Sequence, residues 1–261
     1  MSTQVSTRVS RCRDAAGEFA RRAREQLGDK VQAIVLFGSV ARGEPRKDSD
    51  IDVLVVMPEA RASNRDLWDI AAGVDEDNDY RTVVSVLEMT PASLESLRVG
   101  GFPIAGDLIE EGDVLYDDGT FQAWKDRGMT QTPGDEYTRS RLSLAAEMLH
   151  HTKLLMDADA WTSAADRVYY AMLHSVEAAL AMYGVRPART HDGIRSQLGE
   201  HLVRTSVLPT HFSRAFTNAF KLRVEATYKG SQIEPEAVQD MLQIAEEMVQ
   251  SVREMGQGRG L

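Results

Sequence analysis

Two carboxylates stand two residues apart at the head of an apolar segment, Asp50-Ile51-Asp52-Val53-Leu54-Val55. On a strand, residues two apart point to the same face, so Asp50 and Asp52 present a paired anionic surface. Such a pair suits Mg²⁺, a hard cation that takes carboxylate oxygens at about 2.0–2.1 Å and fills its remaining positions with water and nucleotide phosphates. Ten residues separate the pair from Gly38-Ser39, which ends another apolar run. Gly38 lets the backbone turn sharply and come close to a phosphate, and Ser39 is placed where a helix start offers amides and a hydroxyl to that anion. Arg42, Arg46 and Lys47 lie in the intervening loop, either to meet a triphosphate or simply as solvated charges. An Asp-x-Asp alone also occurs in surface turns. Opening one apolar strand just after a Gly-Ser that closes another, it is hard to explain as packing.

These groups need strands to hold them. Val31–Phe37 and Ile51–Met57 are apolar on both faces from their middles onward, as a sheet covered on both sides requires. A helix is expected between Pro58 and Tyr80, capped by Ser63, with Leu67, Ile70, Ala71 and Val74 on one face. Thr82–Leu87 reads as a third strand, Thr90-Pro91 as the start of a helix, and Val114–Tyr116 as a short closing strand. Ahead of them Val9, Cys12, Ala16, Phe19, Ala23 and Leu27 recur at helical spacing. Residues 1–30 carry seven Arg/Lys against four Asp/Glu, which predicts an amphipathic helix with a solvated basic face.

The texture changes after residue 130. Thr130–Asp135 is polar with Pro and Gly, a linker by composition. Beyond it, apolar residues recur at helical spacing in four sets: Leu142 to Met156, Ala164 to Met182, Phe212 to Arg223 and Val238 to Val252. They predict a helical bundle, with the tail after Met255 fraying. The fold class is therefore α+β: a mixed sheet with flanking helices, followed by an all-α bundle. Net charge is −10 over 261 residues, which argues against constitutive nucleic-acid binding without excluding it. No apolar run is long enough to span a membrane, the opening residues lack a secretory stretch, and Cys12 is the sole cysteine. A cytoplasmic protein is expected, with no membrane partner.

Gly38-Ser39, ten residues, then Asp50-x-Asp52 resembles the signature of the DNA polymerase β-type nucleotidyltransferases, specifically the minimal (MNT) group. Val40–Glu44, Ser49–Val55 and Glu111–Tyr116 are similar to that group's segments. The resemblance implies a polymerase β-like nucleotidyltransferase domain over residues 1–129 that transfers NMP from NTP to an acceptor. It implies ATP as substrate and Mg²⁺ as cofactor, with Asp50 and Asp52 as catalytic, metal-holding residues and Gly38, Ser39 and Arg42 binding nucleotide. One departure is visible. Where the family has a third carboxylate on the next strand, this chain has Ser85. Glu88 has the wrong strand parity to replace it unless a bulge intervenes.

Residues 136–255 resemble a HEPN domain, on Ala165–His174 and Leu222–Tyr228. That resemblance implies an acceptor-binding partner domain, a homodimer through the bundle, or, in the toxin branch, a metal-independent ribonuclease built on an Arg and a His of one helix. At Arg223 the residue five positions on is Tyr228, not His. Arg167 and His174 satisfy the spacing but sit in an aromatic-rich segment that also suits packing. His150, His151, His191, His201 and His211 show no metal-ligand pattern and read as solvated or capping. The leading expectation is adenylyl transfer to a hydroxyl of a small molecule or a protein, held with the help of the helical domain. The alternatives are a fused toxin–antitoxin-like ribonuclease with a regulatory first domain, and a non-catalytic nucleotide sensor.

Overall fold

Strands form where β-branched and aliphatic residues are continuous. The computed structural model, which describes residues 3–59, 65–128, 134–228 and 233–260, divides into two units, Met1–Thr130 and Gln131–Leu261. In the first, β1 (Ala33–Phe37), β2 (Ile51–Val56), β3 (Val84–Met89) and β4 (Asp113–Asp117) make a mixed sheet in the order β3-β2-β1-β4. β1 runs antiparallel to β2 and β4, and β2 runs parallel to β3. The third strand lies two residues later than its sequence pattern suggested, because the Asp75 carboxylate accepts the Val84 amide at 3.0 Å and sets where pairing begins.

Helices cover both faces of the sheet. On one side α1 (Thr3–Leu27) and α3 (Arg65–Asp77) bury Cys12, Ala16, Phe19, Ala23, Leu67, Ile70 and Val74 against Ile34, Leu36, Ile51, Val53 and Val55. On the other, α4 (Pro91–Val99), α5 (Pro103–Glu111) and α6 (Thr120–Lys125) bury Leu94, Ala105, Leu108, Phe121 and Trp124 against Val35, Leu54 and Val56. Strand parity thus sorts each side chain of β2 to one layer or the other. Truncating a fully buried Leu such as Leu54 to Ala costs roughly 2–5 kcal/mol. Thr90 caps α4 through its hydroxyl, which accepts the Ser93 amide at 3.0 Å. Ser63, expected to cap the preceding helix, lies outside the described residues, as does linker segment 130–133.

The basic face of α1 is not merely solvated, which corrects the expectation. Arg22 reaches Glu18 at 2.7 Å and Asp77 of α3 at 2.5 Å, and the Arg24 guanidinium stacks 3.8 Å from the centroid of Tyr116. The helix is long enough to bury one stripe and still bind neighbours with its flanks.

In the second unit α7 (Asp135–Asp157), α10 (Thr210–Tyr228) and α11 (Pro235–Gln257) pack around α8 (Trp161–Met182). Ala164, Ala165, Ala171, Ala178 and Ala179 of α8 are fully buried, and small side chains let neighbouring helices approach closely. Its buried Ser175 returns its hydroxyl to the Ala171 carbonyl at 3.0 Å, so no polar atom is orphaned there. Two elements escaped the sequence pattern: α9 (His191–Gln197), capped by Thr190, and the π-helical turn Leu198–Val203. Both are too short to show a period. The tail is also more ordered than expected, since Gln257 belongs to α11 and Arg259 donates to the Met182 carbonyl.

Candidate functional site

The site grows out of the end of β1. Phe37 pairs with Asp52 across the sheet, and the chain then turns at Gly38, whose φ of 74° lies in the left-handed region. A Cβ at Gly38 would run into the Asp52 carboxylate. Only glycine therefore permits both the turn and the close approach. The short helix α2 (Gly38–Ala41) follows, with Ser39 half-buried in its first turn. The loop then folds on itself: Glu44 donates its amide to the Ser39 carbonyl at 2.9 Å, and Arg46 donates its amide to the Ser49 hydroxyl at 2.8 Å. Asp50 is exposed immediately before β2, and Asp52 is half-buried within it.

Asp52 also pairs with Ser85 on β3, and the β2–β3 register runs without a bulge from Ile51–Val84 to Val56–Met89. Ser85 therefore shares the face of Asp52, the face packed by α4, α5 and α6. Glu88, paired with Val55, belongs to the α1/α3 face. It does not stand in for a third carboxylate beside Asp52.

Electrostatically this edge is left unsettled. Burial, and then the charge of Asp50, push the Asp52 carboxyl above its ordinary value, while Arg42 pulls the other way. Arg42 spends its strongest contact elsewhere, on Glu111 at the end of α5, 2.7 Å away. Asp75 on α3, missed by the sequence reading, is buried and also raised; burial is the main cause, its bond from Val84 opposes, and Asp50 adds to it. Asp50 thus acts on both Asp52 and Asp75 around the start of β2 and β3. Mutually repelling carboxylates, one in a cradle that a Cβ would fill, are the donor set that a divalent cation compensates. Asp50 and Asp52 fit such an ion. Among the described residues no group of three or more His, Cys, Asp or Glu side chains is arranged to hold a metal, in keeping with Ser85 at the third place. Arg46 and Lys47 are exposed.

The helical candidates tell a different story. Arg223 of α10 donates to Asp166 at 2.9 Å and to the Tyr170 hydroxyl at 3.2 Å, and its guanidinium lies over the Tyr169 and Tyr170 rings, 5.4 and 5.1 Å from their centroids. Arg167 pairs with Asp166 at 3.5 Å and leans on the Met148 sulfur. His174 is bonded to Glu177 at 2.9 Å. Arg167 and His174 thus engage different neighbours. The side chain of Tyr228, at the end of α10, lies outside the described residues. His191, read from sequence as solvated or capping, instead meets the buried Tyr169 hydroxyl at 2.6 Å and packs near Phe220. Burial first, and then Arg223, lower its pKa, with Asp192 and Glu177 opposing. No sequence period could have announced it, because it arrives from α9.

A glycine turn set against an Asp-x-Asp edge, on a four-stranded mixed sheet, is the layout of a nucleotidyltransferase. The chain carries a nucleotidyltransferase domain followed by a HEPN domain: residues 18–99 match the family model of the former and residues 138–255 that of the latter. It is 25% identical over 118 residues, 45% of its length, to a Methanocaldococcus jannaschii protein provisionally named toxin MJ0605, covering 87% of that protein. It is 27% identical over 112 residues, 41% of its length, to a protein of the same organism provisionally named protein adenylyltransferase MJ1305, covering 72% of it. Among solved structures it is similar to spectinomycin adenyltransferase AAD(9) from Enterococcus faecialis with ATP and spectinomycin, at a TM-score of 0.48 and 13% identity, over 91% of this chain and 98% of that one. No helix among the described residues is long and apolar enough to cross a membrane.

Proposed function

We propose that residues 1–129 transfer AMP from ATP to a hydroxyl acceptor, a small molecule or a protein, with the help of the helical domain at 136–255. The observation that carries this reading is the Gly38 turn, whose missing Cβ lets the Asp52 carboxylate pack directly against it. Asp50 and Asp52 would hold Mg²⁺, which supplies charge neutralisation at the α-phosphate and the leaving pyrophosphate. Gly38 and Ser39 would cradle the phosphates, and Arg42, once released from Glu111, would meet the triphosphate. In the transfer the acceptor oxygen bonds to the α-phosphorus and the bond to the pyrophosphate oxygen breaks. The acceptor's proton leaves to water or to a group on the acceptor, since Ser85 offers no carboxylate to take it. The chain would work in the cytoplasm, where a reducing environment keeps the buried Cys12 a thiol.

One observation favours a second reading. Ser85 beside Asp52 leaves the acceptor side without its third carboxylate, which suits a nucleotide sensor that binds ATP without efficient transfer. A ribonuclease is less well supported, because Arg223 is committed to Asp166 and Tyr170 and has no His on its own helix five residues on. Incubation with α-labelled ATP and Mg²⁺, followed by tracing of label into small molecules, protein or RNA, separates the three. Transfer that disappears in Asp50→Asn and Asp52→Asn supports the transferase. Bound but untransferred ATP supports the sensor. Metal-independent RNA cleavage that is lost in His174→Ala overturns both.

A further inference from the structure

The loop that joins the phosphate turn to the carboxylate pair is held at both ends by one helix that lies largely outside the matched nucleotidyltransferase segment. Arg13 of α1 donates through Nη2 to the carbonyl of Ala41, the last residue of α2, at 3.0 Å. The same nitrogen lies 2.6 Å from Asp113 Oδ2 at the start of β4. Arg8, one turn before the buried Cys12, donates to the carbonyl of Ser49, the residue just before Asp50, at 3.3 Å. Both arginines precede residue 18, where the family match begins.

Several features make these contacts more than surface decoration. Cys12, Ala16 and Phe19 are fully buried, so α1 is fixed against the sheet and its arginines work from a rigid base. Arg8 buries its Nε with no partner among the described residues, and a buried donor left unpaired is destabilising. Placing a guanidinium there is a poor choice for stability alone. The Ser49 carbonyl that Arg8 holds and the Ala41 carbonyl that Arg13 holds bracket the loop of residues 42–48, whose interior bonds are local turns that do not fix its position on the sheet. Arg42, the next residue after Ala41, is in turn tied to Glu111, two residues before Asp113. A loop gripped at both ends holds Gly38-Ser39 and Asp50 at a fixed separation. A site that must receive phosphates and a cation together depends on that separation.

We propose that Arg8 and Arg13 are positioning residues that set the 42–48 loop, and thereby the spacing of the phosphate turn from Asp50. The inference rests on the nucleotide-binding reading of that site. Their role is to present the site in its binding geometry before nucleotide arrives, without touching the nucleotide themselves. A displacement of about 1 Å at such a site can cost on the order of a hundredfold in rate.

The test uses the full chain with Arg8→Ala, Arg13→Ala and Arg13→Lys, the last because one nitrogen makes both Arg13 contacts and a single ammonium can replace it. Three readouts are taken: melting temperature, amide hydrogen exchange over residues 41–50, and Mg·ATP affinity by calorimetry. The expected result is a melting temperature near that of the wild type, exchange in the loop faster by about tenfold, Mg·ATP binding weakened by about tenfold, and recovery of both in Arg13→Lys. A purely structural role would lower the melting temperature without that selective loss, and would overturn the inference. Loop exchange unchanged in both alanine variants would overturn it too, as would a loosened loop with full affinity. Should an alanine variant fail to fold, Arg8→Met and Arg13→Met, which keep much of the aliphatic stem but donate no hydrogen bond, carry the same readouts. A wild type that binds no Mg·ATP would sink the nucleotide-binding reading, and the inference with it. A wild type that binds, with variants that bind equally well, would sink the inference alone.

Discussion

The acidic end of the sheet and the Arg223 cluster of the bundle both gather charged groups, and they settle them in opposite ways. In the bundle the polar groups mostly find partners: Arg223 has Asp166 and the Tyr170 hydroxyl, His174 is bonded to Glu177, and Arg141 also approaches Glu177, at 3.4 Å, though its buried Nε has no partner among the described residues. At the sheet, burial and then the charge of Asp50 push up both Asp52 and Asp75, and Arg42, which opposes this at Asp52, is drawn off by Glu111. A satisfied network specifies packing. Repelling carboxylates packed against a turn with no space for a Cβ have perturbed pKa values in the place where such shifts mark a functional candidate.

The most damaging way to test that contrast is Gly38→Ala. It adds a Cβ against the Asp52 carboxylate and forces a left-handed φ on a residue that resists it. Nucleotide binding should fall on the order of a hundredfold or more, and the first unit should melt several degrees lower. Wild-type affinity in this variant would mean that the cradle is not where nucleotide sits.

Ser85→Asp sharpens the comparison in the other direction, by adding a carboxylate in register with Asp52. If turnover is limited by the missing acceptor-side group, transfer at saturating Mg²⁺ should rise by about tenfold, which is roughly 1.4 kcal/mol of barrier. The cost is further repulsion, read as a higher Mg²⁺ requirement. A slower variant would show that Ser85 is adapted to its place.

On the satisfied side, Arg223→Ala should act on stability alone. It leaves Asp166, which is only partly exposed, with Arg167 alone at 3.5 Å, and should cost the bundle about 2 kcal/mol, a fall of roughly 4–8 °C in the melting of that unit. Thermal scans give the answer, and RNA cleavage should be unaltered. A stable variant with altered nuclease or transferase activity would move Arg223 from packing to chemistry.

The gentlest test is pH. Asp52 and Asp75 have folded pKa values raised above their ordinary 3.8, so the native state binds more protons than the unfolded chain between those values. Metal-free stability of the first unit should therefore fall as pH rises from about 4 through the raised pKa. His191 has the opposite sign: its pKa is lowered from 6.5, so the second unit should lose stability as pH falls below that value. Separate melts of the two transitions against pH, with Asp52→Asn weakening only the first and Asp75 keeping the remainder, would support the contrast. A single shared dependence would contradict it.

Much of the first unit was legible because its signals are local. Val-rich strands carry their own period, Thr90 names its cap, and Gly38, Asp50 and Asp52 sit within fifteen residues of one another. The resemblance put Ser85 at the family's third place and strand parity set Glu88 aside, and the β2–β3 register pairs Ser85 with Asp52. What stayed hidden depends on long-range meetings that no window of sequence contains. Asp75 reaches the start of β3 from a helix, Glu111 captures Arg42 from 69 residues away, and Arg8 and Arg13 grip a loop from the opening helix. His191 was misread for the same reason, since its partner Tyr169 is on another helix.

The central claim is that the Asp50–Asp52 edge exists to hold a divalent cation with nucleotide. Its most direct test is calorimetric titration of ATP into wild type and Asp52→Asn, each with and without Mg²⁺, alongside metal-free melting temperatures. Wild type should bind ATP only with Mg²⁺. Asp52→Asn should bind none, yet melt on the order of 1–3 °C higher because a half-buried charge, and its repulsion from Asp50, are gone. Mg²⁺-dependent binding that survives in Asp52→Asn, or wild-type binding indifferent to Mg²⁺, would contradict the account.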